Sequence, residues 1–150
     1  MTIIAFISQK GGPIATINKP AAINEAKLEK KLIVNQATLE IAKKADLLIQ
    51  PTGASRLDLV PAVKEFHALT QAGINKKKLL FILSRISTPA EAAVSQEFLK
   101  KSGYNYSPDY LMEKASYRQA QNEGKSITEI SYKNLRKQAK EIINSILKHL

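Results

Sequence analysis

Cysteine is absent from this chain of 150 residues. Disulfides, thiolate metal sites and cysteine nucleophiles are thereby excluded. Histidine is nearly absent too, and only His67 and His149 offer imidazole. His67 falls beside the apolar face of an expected helix and reads as a packing or surface residue. His149 falls in a last helical turn, and no metal-ligating constellation forms around either. No apolar run approaches the roughly 20 residues that a membrane span needs. The N-terminus lacks a charged leader and a cleavage site, so it does not read as a signal peptide, and the expected location is cytoplasmic. Aromatic residues make up 6% of the chain and are not interleaved with basic ones. That argues against single-strand recognition by base stacking.

Acidic residues are also scarce. Thirteen Asp and Glu face 23 Lys and Arg, for a net charge of +10. Such an excess points to an anionic partner: nucleic acid, a nucleotide or a membrane surface. What the chain does have is an ordinary 44% of apolar residues. Its length suits one domain with one core.

The stretch 2–16 organises the rest. Ile3-Ile4-Ala5-Phe6-Ile7 is a short apolar strand, and Ser8-Gln9-Lys10-Gly11-Gly12 follows as a glycine loop. A strand, a glycine loop and then a helix is the layout of a phosphate-binding loop. Glycines let backbone N–H groups surround an anion because no Cβ intervenes.

After position 20, residues 21–31 are good helix formers. A β-prone run, Leu32-Ile33-Val34-Asn35, comes next. Residues 37–45 suit a short helix, and 46–50 a buried strand ending at Pro51. The spacing of Leu59, Val63 and Phe66 predicts a helix over 56–72, capped by Ser55 or Asp58 and stopped at Gly73. With Asp58 as cap, Pro61 lies harmlessly in the first turn. Lys76 to Lys78 form a basic turn, read as solvated. Leu79-Leu80-Phe81-Ile82-Leu83 reads as a central parallel strand. Thr88-Pro89-Ala90-Glu91 is a capping box, opening a helix that runs to about Lys101 and ends at Gly103. Residues 106–112 read as a strand weakened by Pro108. A short helix over 117–123 stops at Gly124. The last helix, 131–150, has Leu135, Ala139, Ile142, Ile143, Ile146, Leu147 and Leu150 on its apolar face. Strands alternate with helices and no hairpin turn joins two strands, which predicts an α/β domain with a mostly parallel sheet.

The strand followed by Lys10-Gly11-Gly12 resembles the deviant Walker A motif of the ParA/MinD family of P-loop ATPases, K-G-G-x-G-K-[ST]. Lys10, Gly11, Gly12 and Thr16 match. Ile14 stands for the third glycine and Ala15 for the P-loop lysine. Three later stretches are also similar to that family: Ala45 to Pro51 with Leu57-Asp58-Leu59; Leu80 to Arg85, like a strand ending in Asn-Arg; and Tyr117 to Ile127. The resemblance implies a Rossmann-like P-loop fold. It implies Lys10 as the signature catalytic lysine reaching across a homodimer, with ATP held at Gly11, Gly12 and Thr16. It further implies Mg²⁺ at Thr16, and Ser84 and Arg85 near the base. It also implies nonspecific DNA binding through late basic residues, here Lys133, Arg136, Lys137 and Lys140, and a partition partner protein in a bacterial cytoplasm, at the nucleoid.

The departures have consequences. Ala15 removes the main positive charge on the phosphates, and the β-branched Ile14 resists positive φ. Pro20 favours a later helix start, away from the phosphate. The chain is short around 17–36: about twenty residues separate Ala15 from Asn35, where one βαβ unit alone takes roughly 30. The central strand with the catalytic Asp is expected to be missing, and Asn35 takes the place of the Walker B Asp. Phosphoryl transfer rests on positioning and charge neutralisation, so impaired nucleotide binding and hydrolysis are expected. A noncatalytic DNA- or partner-binding module is the alternative, and a degenerate remnant is a third.

Overall fold

The computed structural model describes residues 2–7 and 35–150. The glycine loop and its flanks, with Lys10, Gly11, Gly12, Ile14, Ala15, Thr16 and Pro20, lie outside the described residues. So do the helix expected over 21–31 and most of the run 32–35.

Among the described residues four strands form one all-parallel sheet: β1 (Ile4–Phe6), β2 (Leu47–Thr52), β3 (Leu79–Leu83) and β4 (Asn105–Tyr106), in the order β1-β2-β3-β4. Helices α1 (Gln36–Lys44), α2 (Arg56–Gln71) and α3 (Pro89–Ser102) alternate with the strands. Helices α4 (Ala115–Asn122) and α5 (Lys133–His149) close the chain. The α/β parallel architecture expected from the alternation is present.

Among the described residues each strand pairs with the next, so the steps across the sheet all run in one direction. Right-handed crossovers then put α1, α2 and α3 on one face. Leu48, Leu79, Phe81 and Leu83 point to that face and pack with Ala42, Phe66, Leu69, Ala92 and Leu99. The alternate residues, Leu47, Ile49, Leu80 and Ile82, point the other way and pack against Ile142 and Ile146 of α5. Phe66 stacks on Phe81 at 4.1 Å between centroids, and Tyr104 meets both edge-on.

Several boundaries differ from the sequence reading, each for a local reason. Strand β2 continues through Pro51 to Thr52. The Ile49 carbonyl accepts from Ile7 N–H on the β1 side. Two residues on, Pro51 faces the same way and has no N–H to extend the ladder to the Ile7 carbonyl, so the pairing with β1 ends there. Helix α2 is capped by Ser55, not Asp58, because Ser55 Oγ accepts the Asp58 N–H at 3.2 Å. Pro61 therefore sits inside the helix, where the Leu57 carbonyl loses its i+4 donor. The segment 106–112 is not one strand. Only Asn105–Tyr106 pairs as β4, and Met112 makes an isolated bridge with Ile86. Pro108 sits in the break. In α5, Ala139, Ile142 and Ile146 are buried, but Ile143, Leu147 and Leu150 are exposed. The helix rests on the sheet along one narrow line, and its apolar stripe is wider than that line.

Candidate functional site

The strands are parallel, so their C-terminal ends share one edge. Ile7, which leads into the glycine loop, and Ser84-Arg85, which follow β3, therefore lie on the same edge. They are two strand spacings apart, about 10 Å. Open parallel sheets bind ligands outside this edge.

Arg85 is the one non-glycine residue with positive φ among the described residues, at 57°. L-residues pay about 1–2 kcal/mol for this left-handed conformation. The kink ends β3 and turns the chain toward Ile86. Ser84 N–H still donates to the Thr52 carbonyl at 2.9 Å, which holds the end of β3 against β2. The Arg85 side chain is 60% exposed, and its Nη2 stands 3.9 Å from Asp58 Oδ2. Asp58 is also gripped by its own helix end, accepting from Ser55 Oγ at 2.9 Å. Gly53 lies beneath this pair. A Cβ there would stand 2.4 Å from Asp58 Oδ2 and 3.4 Å from Arg85 Nη2.

Thus Ser84 and Arg85 share an edge with Thr52, Gly53, Ser55 and Asp58. None of residues 52–55 is named as a ligand-site residue from sequence. The available signal was Gly53 directly after a strand and before a capped helix. Asp58, Asp46 and Asp109 form no carboxylate pair. Asp58 faces Arg85, Asp46 accepts the Ile3 N–H at 2.8 Å, and Asp109 accepts a short bond from Ser145.

The described residues give a divalent cation little. No group of three His, Asp or Glu able to hold a metal occurs among them. Asn35 uses its Oδ1 to accept the Ala37 N–H at 2.8 Å and so caps α1.

The second candidate surface is α5. Lys133, Arg136, Lys137 and Lys140 recur at i, i+3, i+4 and i+7, so they share one helix face. Lys133, Lys137 and Lys140 are exposed and Arg136 is half-buried. The buried residues Ala139, Ile142 and Ile146 lie on the opposite side. Glu141 is the helix's single carboxylate, 3.8 Å from Lys137. Lys133 also borders a shallow depression of about 430 Å³, with Lys114, Ser116 and Tyr132. Two basic side chains near α4 are paired instead: Arg118 with Glu113 at 3.0 Å and Lys125 with Glu123 at 2.7 Å. The hydrogen bond between Lys125 and Glu123 raises the ammonium's pKa and lowers the carboxyl's. No helix among the described residues is long and apolar enough to cross a membrane.

No protein-family model matches the chain, and no curated protein matches it.

Proposed function

We propose that this chain is a divergent, shortened relative of the ParA/MinD-type partition ATPases that binds nucleic acid nonspecifically and handles nucleotide weakly. The observation that carries this reading is the cationic stripe on α5. Four basic side chains on one helix face, with one carboxylate beside them, suit a phosphate backbone. The parallel sheet, with a glycine loop after β1, supports the nucleotide half of the reading. Ser84 and Arg85 stand at the same sheet edge as Ile7, the residue that precedes the loop in sequence, where a base or ribose would lie. Against strong phosphate binding stand Ala15 in the loop and Asp58 beside Arg85, whose carboxylate already faces the guanidinium.

Two measurements test it. Anisotropy of a labelled random-sequence duplex should show binding that weakens steeply with salt. Lys133→Gln, Lys137→Gln and Lys140→Gln together should weaken it at least tenfold. Calorimetry with ATP, with and without Mg²⁺, should show weak binding that Lys10→Ala removes. Duplex binding without any ATP binding would favour a noncatalytic DNA-binding module. Absence of both would retire the reading.

A further inference from the structure

The opposite edge of the sheet carries a second concentration of positive charge. Lys43 and Lys44 end α1 just before β2. Lys76, Lys77 and Lys78 form a 3₁₀ turn just before β3. Lys100 and Lys101 lie in the last turn of α3, just before β4. These groups precede three neighbouring strands, so they stand side by side along one rim.

Three contacts tie the rim together. Lys78 Nζ donates to the Ala45 carbonyl at 2.9 Å, joining the turn to the end of α1. Lys76 Nζ sits 4.8 Å above the Tyr104 ring, beside the end of α3. His149 Nε2 lies 3.3 Å from the Lys77 carbonyl, which brings Lys148 to the same rim from the other face of the sheet.

The rim's carboxylates are few. Asp46 accepts the Ile3 N–H, and Glu97 pairs with Lys101 at 2.9 Å. Lys43, Lys44, Lys76, Lys77, Lys100 and Lys148 have no carboxylate within ion-pair distance among the described residues. All but the half-buried Lys78 are exposed.

Lysines at helix C-termini complement the macrodipole. That accounts for the pairs ending α1 and α3. It does not account for Lys76 and Lys77, because α2 has no basic residue in its last turn and the turn after it supplies them. Unneutralised like charges side by side repel, and a polyanion relieves that repulsion.

We propose that this rim is a second nucleic-acid contact surface, holding the phosphate backbone of a duplex without reading its bases. It shares the partner class of the proposed function but stands on different residues. The lysine groups follow one another across neighbouring strands, a linear array that suits a linear polyanion. Lysine is a flexible point charge, which suits phosphates rather than base edges. The rim lies beyond the end of the α5 stripe: Lys140, the stripe's nearest residue, and Lys148 are about 12 Å apart along the helix axis.

The test uses the full chain and a fluorescein-labelled random-sequence duplex, with affinity measured across a salt series. The rim variant combines Lys43→Gln, Lys44→Gln, Lys77→Gln and Lys100→Gln. It leaves Lys78 and Lys76 in place because they make structural contacts. The stripe variant is the one given above. Each phosphate contact removed should lower the slope of log K against log salt by about 0.9. We expect the rim variant to lower it by about 2 to 4, and its loss to add to that of the stripe variant. The corresponding Lys→Arg set should keep the slope and the affinity. A rim variant that unfolds cooperatively like the parent and keeps its slope overturns the proposal, whatever the stripe variant does. Loss of binding in the rim variant alone supports the rim and overturns the stripe. Binding to phosphatidylserine vesicles in place of the duplex overturns both.

Discussion

Arg85 holds its guanidinium 3.9 Å from the Asp58 carboxylate while its own backbone sits in the left-handed region, φ 57°. The two facts pull in opposite directions. The backbone costs about 1 kcal/mol relative to glycine. The ion pair, with Arg85 largely in solvent, returns about 0–1 kcal/mol. Arg85→Gly should therefore be neutral or stabilising, by up to about 1 kcal/mol in urea unfolding. If ATP binds at this edge, the same change should weaken it. Marked destabilisation would show that the guanidinium holds the loop after β3 in place.

Gly53 makes a complementary case. Gly53→Ala would drive its new methyl into Asp58 Oδ2, 2.4 Å away. We expect a loss of about 1–3 kcal/mol from this overpacking. Asp58→Ala in the same chain should recover part of it. The two sites should thus be non-additive in a double-mutant cycle, and strict additivity would place the strain elsewhere.

Tyr117 should give stability an alkaline limb. Burial raises its phenol's pKa, and its hydroxyl donates to the Leu135 carbonyl at 2.8 Å. The folded phenol stays protonated where an unfolded one, with a pKa of about 10, has ionised. Its contribution is therefore complete below about pH 10 and is lost as pH rises through the raised folded value. Tyr117→Phe should cost about 1 kcal/mol at neutral pH. It should also flatten the decline above pH 10 relative to the parent, as read by thermal unfolding across a pH series.

The two flanks of α5 should respond unequally. Ile142 is 5% exposed and Ile143 is 41% exposed. Ile142→Ala should cost about 2–5 kcal/mol. Ile143→Ala should stay within about 0.5 kcal/mol, as surface changes do. Equal costs in denaturant titrations would mean that both flanks are packed.

That contrast shows where sequence pattern stops. Periodicity correctly marked α5 as amphipathic, but 3.6-residue spacing cannot say how wide a line of contact the sheet offers. Strand β3 was legible to the residue because five consecutive apolar side chains need burial on both faces. The start of α3 was legible because Thr88 and Pro89 act locally. Even there, Glu91 reaches the Ser87 N–H at 2.8 Å rather than that of Thr88, so the reciprocal half of the box is shifted. Residues 106–112 misled because their β-prone side chains carry no information about whether a partner strand is in reach. At the candidate site, Ser84 and Arg85 were nameable from a resemblance. Their meeting with Gly53 and Asp58 depends on the pairing of β2 with β3, which no short motif encodes.

The sheet order has a kinetic corollary. Because β2 and β3 are neighbours both in the sheet and along the described chain, β2, α2 and β3 can assemble within one stretch of 37 residues, Leu47 to Leu83. Short loops close first, since longer closures lose more entropy before contacts reward them. We expect this unit, centred on the stacked rings of Phe66 and Phe81, to form the transition state. Folding φ-values should then be high at those two positions and low at Ile4 and Ile146, so that β1 and α5 join a sheet already made.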